Sequence, residues 1–223
     1  MTGISHQFRK HFKNYADKVS KFFAKVSGLH VLEIGSNDCT LLDYFKGKKC
    51  ITVGVEPAKN LWALTKNDHE IFHSFYNNKI NNKLLQKYKY FDIITANNVF
   101  AHIDNIKNVF LLLKNLMHNK SLIIFEVSYL LDVINKKLFD TIYHEHLDYH
   151  SIIPLVSFFK KLNLKIIDIE KVVSHSGSIR VFVAKNTKAY LTKRKKIKEF
   201  IKKEKNIIKK STFIKFFQKL EKE

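Results

Sequence analysis

Apolar side chains recur at helical spacing through Phe8, Phe12, Tyr15, Ala16, Val19, Phe22 and Phe23, which predicts a helix over 4–27 closed by Ser27-Gly28. The pattern then shortens. "HVLEIG" (30–35) and "CITVGVEP" (50–57) are compact apolar runs bounded by glycine or proline, and they predict buried strands. Helices are expected at about 38–46 and across "AKNLWALTKN". A weaker strand is expected near 70–75, then a helix in "NNKLLQKY", a strand in "FDIITANNVF", a helix over 104–118 and a strand at 120–128. Beyond a polar stretch come a helix at about 152–162 and two strands, "LKIIDIEKVV" and "SIRVFVAKN". Residues 188–223 predict one or two long basic helices. Strands alternating with helices imply an α/β fold with a parallel sheet, and two closing strands without a helix between them imply an antiparallel last pair.

Composition narrows the class. The 223 residues are 45% hydrophobic and 27% charged, with six glycines and two prolines, as in a globular chain with few flexible linkers. The most apolar run, "SLIIFEVSYLLDVI", is broken by Glu126 and Asp132, so no membrane span is expected. The N-terminus lacks a signal-like apolar core, and Cys39 and Cys50 form no CxxC pair; the expectation is a cytoplasmic protein. The charge of +20 is unevenly spread. Residues 185–223 hold fifteen Lys/Arg against four Glu, a net of +11. Two readings stand: an A+T-rich genome that favours lysine, or a basic patch for anionic partners.

The first strand-to-helix turn reads "LEIGSNDCTLL". Gly35 lets the backbone approach a ligand, and Ser36, Asn37 and Asp38 place polar groups at a helix start. This is not the GxGxxG of a dinucleotide turn. It resembles instead the E/D-x-G-x-x-x-G turn of class I S-adenosylmethionine (SAM) methyltransferases, with Glu33 as the acidic residue and Cys39 in place of the closing glycine, a change that would narrow the pocket. Twenty-one residues after Gly35, Glu56 ends the second strand, where a carboxylate suits two ribose hydroxyls. Asn97 and Asn98 end the fourth strand and are expected at the same pocket.

"FDTIYHEHLDYHS" (139–151) concentrates three histidines, a glutamate and two tyrosines. As a metal site it fails the HExxH pattern, since Asp148 stands where the second histidine belongs. A solvated loop and an acid/base centre remain. In the latter, a histidine that titrates near neutrality is oriented by a carboxylate, with a tyrosine as hydrogen-bond donor.

Five strings, "LEIGSNDCTLL", "GVEPA", "ANNVFAHI", "FDTIYHEHLDYHS" and "SHSGSIRVF", occur in the order found in the sugar-nucleotide C-methyltransferases of deoxysugar pathways, and together they span most of residues 1–185. The resemblance implies a class I, Rossmann-like methyltransferase core over 28–187, which follows an N-terminal helical segment over 1–27; the basic helical tail over 188–223 departs from the family after about residue 190. It implies SAM as cofactor and a nucleotide-linked keto sugar as substrate, methylated on carbon. It implies His146 as general base with Glu145 and Tyr143 beside it, and His102 in the same site. Tyr143 or His102 would donate to an enolate oxygen, and Glu145 would fix an imidazole tautomer. His144 and the loop from His175 through Ser178 to Arg180 would face the sugar nucleotide.

The chain also departs from that family. Relatives carry an N-terminal zinc domain and a further C-terminal α/β region that help enclose the sugar nucleotide, so a partner chain supplying them is an expectation. His150 stands where the family shows an aromatic residue. Other readings are a SAM-binding partner without turnover, another small-molecule methyltransferase, or a nucleic-acid methyltransferase; against the last, "ANNV" is not the N/D-P-P-Y/W of base amino-methyltransferases.

Overall fold

Seven strands order as β3-β2-β1-β4-β5-β7-β6 in the computed structural model, which describes residues 5–64, 68–138, 141–142, 144–172 and 177–220. They are β1 (His30–Ile34), β2 (Ile51–Val55), β3 (Glu70–Phe72), β4 (Phe91–Asn97), β5 (Met117–Ser128), β6 (Leu164–Val172) and β7 (Ser178–Lys185). β1 pairs in parallel with β2 and β4, and β2 with β3. β6 and β7 are antiparallel, as the missing helix between them predicted. The helices are α1 (His6–Ser20), α2 (Thr40–Lys46), α3 (Asn78–Tyr88), α4 (Ile106–Asn115), α5 (Leu130–Lys136), α6 (Ile152–Lys161), α7 (Arg194–Ile207) and α8 (Lys210–Leu220). This is the class I methyltransferase arrangement. Two compact units make it up: residues 1–96 with 107–123, and residues 97–106 with 124–223.

In the first unit, β1 and β2 are almost wholly buried and mostly apolar, as parallel strands under helices must be, with Glu33 and Thr52 as their buried polar exceptions. Helix α1 presents Phe12, Tyr15, Ala16 and Val19 to the core and packs on α2. Burial of each large side chain there stabilises by about 1.5–3 kcal/mol. The Tyr15 hydroxyl, fully buried, shares a 2.7 Å hydrogen bond with Thr95 Oγ1 on β4. The helix expected over 4–27 ends at Ser20, because the N–H groups of Lys21, Phe22 and Phe23 turn back to carbonyls three residues earlier. "AKNLWALTKN" forms only a 3-10 segment, Lys59–Leu64, where Trp62 Nε1–H bonds the Glu56 carbonyl at 3.3 Å.

In the second unit, α6 covers β6 and α7 packs on both. Helix α5 was not foreseen. It continues the apolar run of β5 without glycine or proline, so periodicity alone does not mark the boundary. The basic segment breaks into two helices at Ile208-Lys209. Its first helix is anchored by charge: Lys193 and Lys196 reach the buried Asp168 on β6 at 2.5 and 2.9 Å. Burial alone would raise that carboxyl's pKa; the hydrogen bonds from the two lysines, with the Ile169 N–H, outweigh it and hold Asp168 below the usual carboxylate range. Among the described residues no helix is long and apolar enough to cross a membrane.

Candidate active site

After β1 the chain turns through Gly35 (φ 68°), Asn37 (φ 49°) and Cys39 (φ 62°) before α2 begins at Thr40. Left-handed backbone at two non-glycine residues is strained, and it persists where neighbouring contacts over-determine it. Here they do. The N–H groups of Gly35 and Ser36 both donate to the Val55 carbonyl, and Cys39 N–H donates to the Ser36 carbonyl at 2.9 Å. Asp38 Oδ1 accepts from the Thr40 hydroxyl at 2.6 Å and from its N–H at 3.3 Å. Gly54, on β2, makes the close approach of this turn feasible: a Cβ there would lie 2.5 Å from Ser36 Oγ and 2.6 Å from Ile71 Cδ1. Cys39 points into the core at 0% exposure rather than into open space. Burial, and then the charges of Glu33, Asp43 and Asp38, push its thiol up to about 12, so it stays protonated and inert.

Glu56 closes the turn from the other side. Its Oε2 accepts the Asn37 N–H at 2.7 Å and its Oε1 accepts the Ala58 N–H at 2.8 Å. Each carboxylate oxygen carries two lone pairs, so one on each remains for a donor beyond the protein's own backbone. That pair of acceptors fits the two hydroxyl donors of a vicinal diol such as the SAM ribose. Glu33, on β1, is buried at 4% exposure opposite Gly54.

In the second unit, Asn97 ends β4 and Asn98 adopts φ 55°, its N–H donating to the Glu126 carbonyl at 2.9 Å. A 3-10 turn, Phe100–His102, follows, and the polar stretch is stitched to it. Leu147 N–H donates to the Ala101 carbonyl at 2.8 Å. His102 Nδ1 lies 2.9 Å from the Glu145 carbonyl, and His146 Nδ1 lies 2.8 Å from the Thr141 carbonyl, which also accepts the Tyr149 hydroxyl at 2.9 Å. A carbonyl only accepts. Each Nδ1 therefore carries a proton, so Nε2 is the atom at which either ring would take up or give back another. The rings stand 4.9 Å apart.

This arrangement corrects one expectation: the backbone carbonyl of Glu145, not its exposed carboxylate, is the partner of an imidazole, and the imidazole is that of His102. His150 is buried, and its ring bonds to the backbone of Phe100. Burial lowers its pKa against the opposing effects of Asp148 and the Phe100 bond, so the ring is neutral and pins the stretch. His144 is exposed. Tyr143 and His175 lie outside the described residues.

Ser178 and Arg180 stand on β7 rather than in a loop, and both are buried. The Arg180 guanidinium donates to Glu126 Oε1 from Nε at 2.6 Å and from Nη2 at 2.5 Å, with Glu170 at 3.5 Å. Gly177 precedes them at φ 148°, where a Cβ would sit 2.7 Å from the Asp132 side chain. Among the described residues no three His, Cys, Asp or Glu side chains are placed to hold a metal ion. Sequence reasoning missed Gly54, Ala101, Thr141 and Tyr149. For Gly54 and Tyr149 the signal was a glycine inside a buried strand and a tyrosine within the polar stretch; Ala101 and Thr141 act through carbonyls that any residue supplies.

Comparison with known proteins bears on the fold and the family. The model of a methyltransferase domain family matches residues 7–169. The C-methyltransferase NovU of Streptomyces niveus is 30% identical over 177 residues, 78% of this chain and 42% of that protein. The chain thus spans about two-fifths of that curated relative's length. Among solved structures, PH0226 of Pyrococcus horikoshii OT3 superposes with a TM-score of 0.62 at 14% identity, covering 81% of this chain and 92% of that one. The SAH-bound magnesium protoporphyrin IX methyltransferase of Synechocystis PCC 6803 gives 0.58 at 12%, covering 78% and 83%. These distant structures establish the fold, and the family match over residues 7–169 shows that the chain belongs to the methyltransferase domain family.

Proposed function

We propose that the chain methylates carbon in a nucleotide-linked keto-deoxysugar, with His146 as the base. The observation that carries this reading is the His102–His146 pair, each ring held by a backbone carbonyl in the tautomer that leaves Nε2 able to accept a proton. The similarity to a C-methyltransferase supports it further. Carbon beside a carbonyl becomes a nucleophile only when it loses a proton, and an imidazole lone pair can take that proton at neutral pH. Methyl transfer to oxygen or nitrogen also releases a proton to a base, so the pair serves any of these acceptors, and the similarity to a C-methyltransferase is what favours carbon. SAM supplies an electrophilic methyl group on a sulfonium. The turn at Gly35–Thr40 and the Glu56 carboxylate hold its amino-acid and ribose parts. The hydrogen bond to the enolate oxygen falls to Tyr143 or His102. Arg180, already neutralised by Glu126, shapes this half of the protein rather than bearing an open charge toward phosphate.

The test is two measurements on one substrate, a nucleoside-diphosphate 4-keto-6-deoxysugar. In deuterated water the wild type exchanges a proton adjacent to the carbonyl, and with methyl-labelled SAM it places the label on that carbon. His146→Ala abolishes both while SAM still binds in a calorimetric titration. Label on oxygen, or loss of SAM binding in the variant, defeats the assignment.

A further inference from the structure

The basic C-terminal segment contributes one fully buried carboxylate, that of Glu204 on α7, flanked by Lys202, Lys203 and Lys205. Three donors converge on it. Oε1 accepts the Tyr129 hydroxyl at 2.9 Å and the Ile152 N–H at 2.6 Å; Oε2 accepts the Ile153 N–H at 2.9 Å. Ile152 and Ile153 open α6, whose cap residue Ser151 makes no side-chain hydrogen bond to the helix. Glu204 therefore does the capping from 51 residues away, placing negative charge against the positive end of the α6 backbone. Tyr129 belongs to the same junction from the other side. It forms an isolated bridge with His150, and Leu130 N–H donates to the His150 carbonyl at 3.0 Å.

We infer that Glu204 is a positioning residue for the proton-transferring stretch. One carboxylate ties the chain at Tyr129 to the chain at Ile152 and so closes the C-terminal end of residues 144–151, while the Leu147–Ala101 hydrogen bond holds the middle. Glu204 touches neither imidazole. It acts through the backbone that carries His146 and the Thr141 carbonyl to which that ring is bonded. The segment after residue 188, which departs from the resembling family, thus completes the geometry of the acid/base stretch and is no appendage. A fully buried carboxylate is needed here because the Tyr129 hydroxyl and the Ile152 N–H, both in buried bonds, would otherwise lack an acceptor where no water can take its place. The catalytic consequence rests on the reading of His146 as base; the clamp itself does not.

Glu204→Ala, Glu204→Gln, Tyr129→Phe and the control Glu199→Ala, which removes the other and exposed carboxylate of α7, separate the possibilities. Amide hydrogen exchange at Leu147, Ile152 and Ile153 rises at least ten-fold in Glu204→Ala. It rises less in Glu204→Gln, whose carbonyl still accepts two of the three bonds, and least in Tyr129→Phe; the control matches wild type. SAM affinity is unchanged throughout, and kcat for the keto sugar falls in the same order with the KM for SAM constant. Unchanged exchange at these amides overturns the inference, as does an equal rise throughout β6 and β7, which would mean general loosening. If wild type does not turn over a keto sugar, the proposed function fails while the exchange order still decides the clamp.

Discussion

His102 and His146 approach to 4.9 Å between ring centroids, and each gives its Nδ1–H to a carbonyl of the segment that carries His146: Glu145 for the one, Thr141 for the other. The pair is thus a single unit in which His102 holds the backbone next to His146. Replacing His102 with Phe keeps the ring contact and removes the hydrogen bond. The expected result is a loss in kcat of about five-fold, the equivalent of one ordinary hydrogen bond of about 1 kcal/mol, with SAM affinity unchanged. Steady-state kinetics beside a calorimetric titration would check it; a loss as large as that of His146→Ala would make His102 the base instead.

Glu56→Gln is nearly isosteric but converts one acceptor oxygen to a donor. Whichever way the amide turns, its NH2 faces the N–H of Asn37 or of Ala58. The turn should open and SAM affinity should fall at least ten-fold, while the thermal transition moves by only a few degrees. Affinity within two-fold of wild type would show that Glu56 does not serve the ribose.

Gly54→Ala inserts a methyl group into space already taken by Ser36 and Ile71. Overpacking of this kind costs about 1–3 kcal/mol, and relief by moving Ser36 would disturb the turn that carries Asn37. Denaturant titration should register the destabilisation, and SAM binding should weaken with it. A variant as stable as wild type would mean that the turn and β2 can separate without cost.

The buried His150 has a pKa depressed below its ordinary 6.5. The folded state therefore binds fewer protons than the unfolded state below about pH 6.5, so stability is present above that pH and declines as pH falls through it, by up to about 1.4 kcal/mol per pH unit, until the folded-state pKa is reached. His150→Phe removes this term. The variant's stability should be flatter between pH 6.5 and 5 in urea titrations at several pH values; a parallel decline would place the acid sensitivity elsewhere.

Cys39 carries a thiol raised to about 12 by burial and by neighbouring carboxylates. A disulfide reagent at pH 8 should leave it untouched in native protein and modify it on unfolding, since the nucleophile is the thiolate. Rapid modification of the native chain at Cys39 would contradict the core placement that distinguishes this turn from its glycine-closed counterparts.

Much of the chain was legible in advance. Short apolar runs at 30–34 and 51–55 can be satisfied only as strands buried on both faces, and an acidic residue ending the second is a local feature, so both survive translation into three dimensions. The antiparallel final pair follows from the shortness of the connection between β6 and β7. Elements also failed where the apolar pattern had no punctuation, as in α5, and where a helix gave way to chain that had to reach a strand, as after Ser20. The polar stretch was recognisable from its residue types, but which atoms hold its histidines was not: the Thr141, Glu145 and Ala101 carbonyls belong to the backbone, and backbone groups leave no trace in residue identity.

By itself, then, the amino-acid sequence determined what depends on neighbours along the chain: strand and helix order, the glycine turn, the acidic end of β2 and the concentration of proton-handling groups at 144–150. Only the tertiary structure decided what depends on distant partners. Glu126, 54 residues before Arg180, pairs with its guanidinium, and the lysine-rich segment, which the sequence leaves as a lysine bias or a patch for anionic partners, spends Lys193 and Lys196 on Asp168 and caps α6 with Glu204. A charge has no fixed role in a sequence, because its free energy is set by burial and by the opposite charge beside it, and folding alone supplies both.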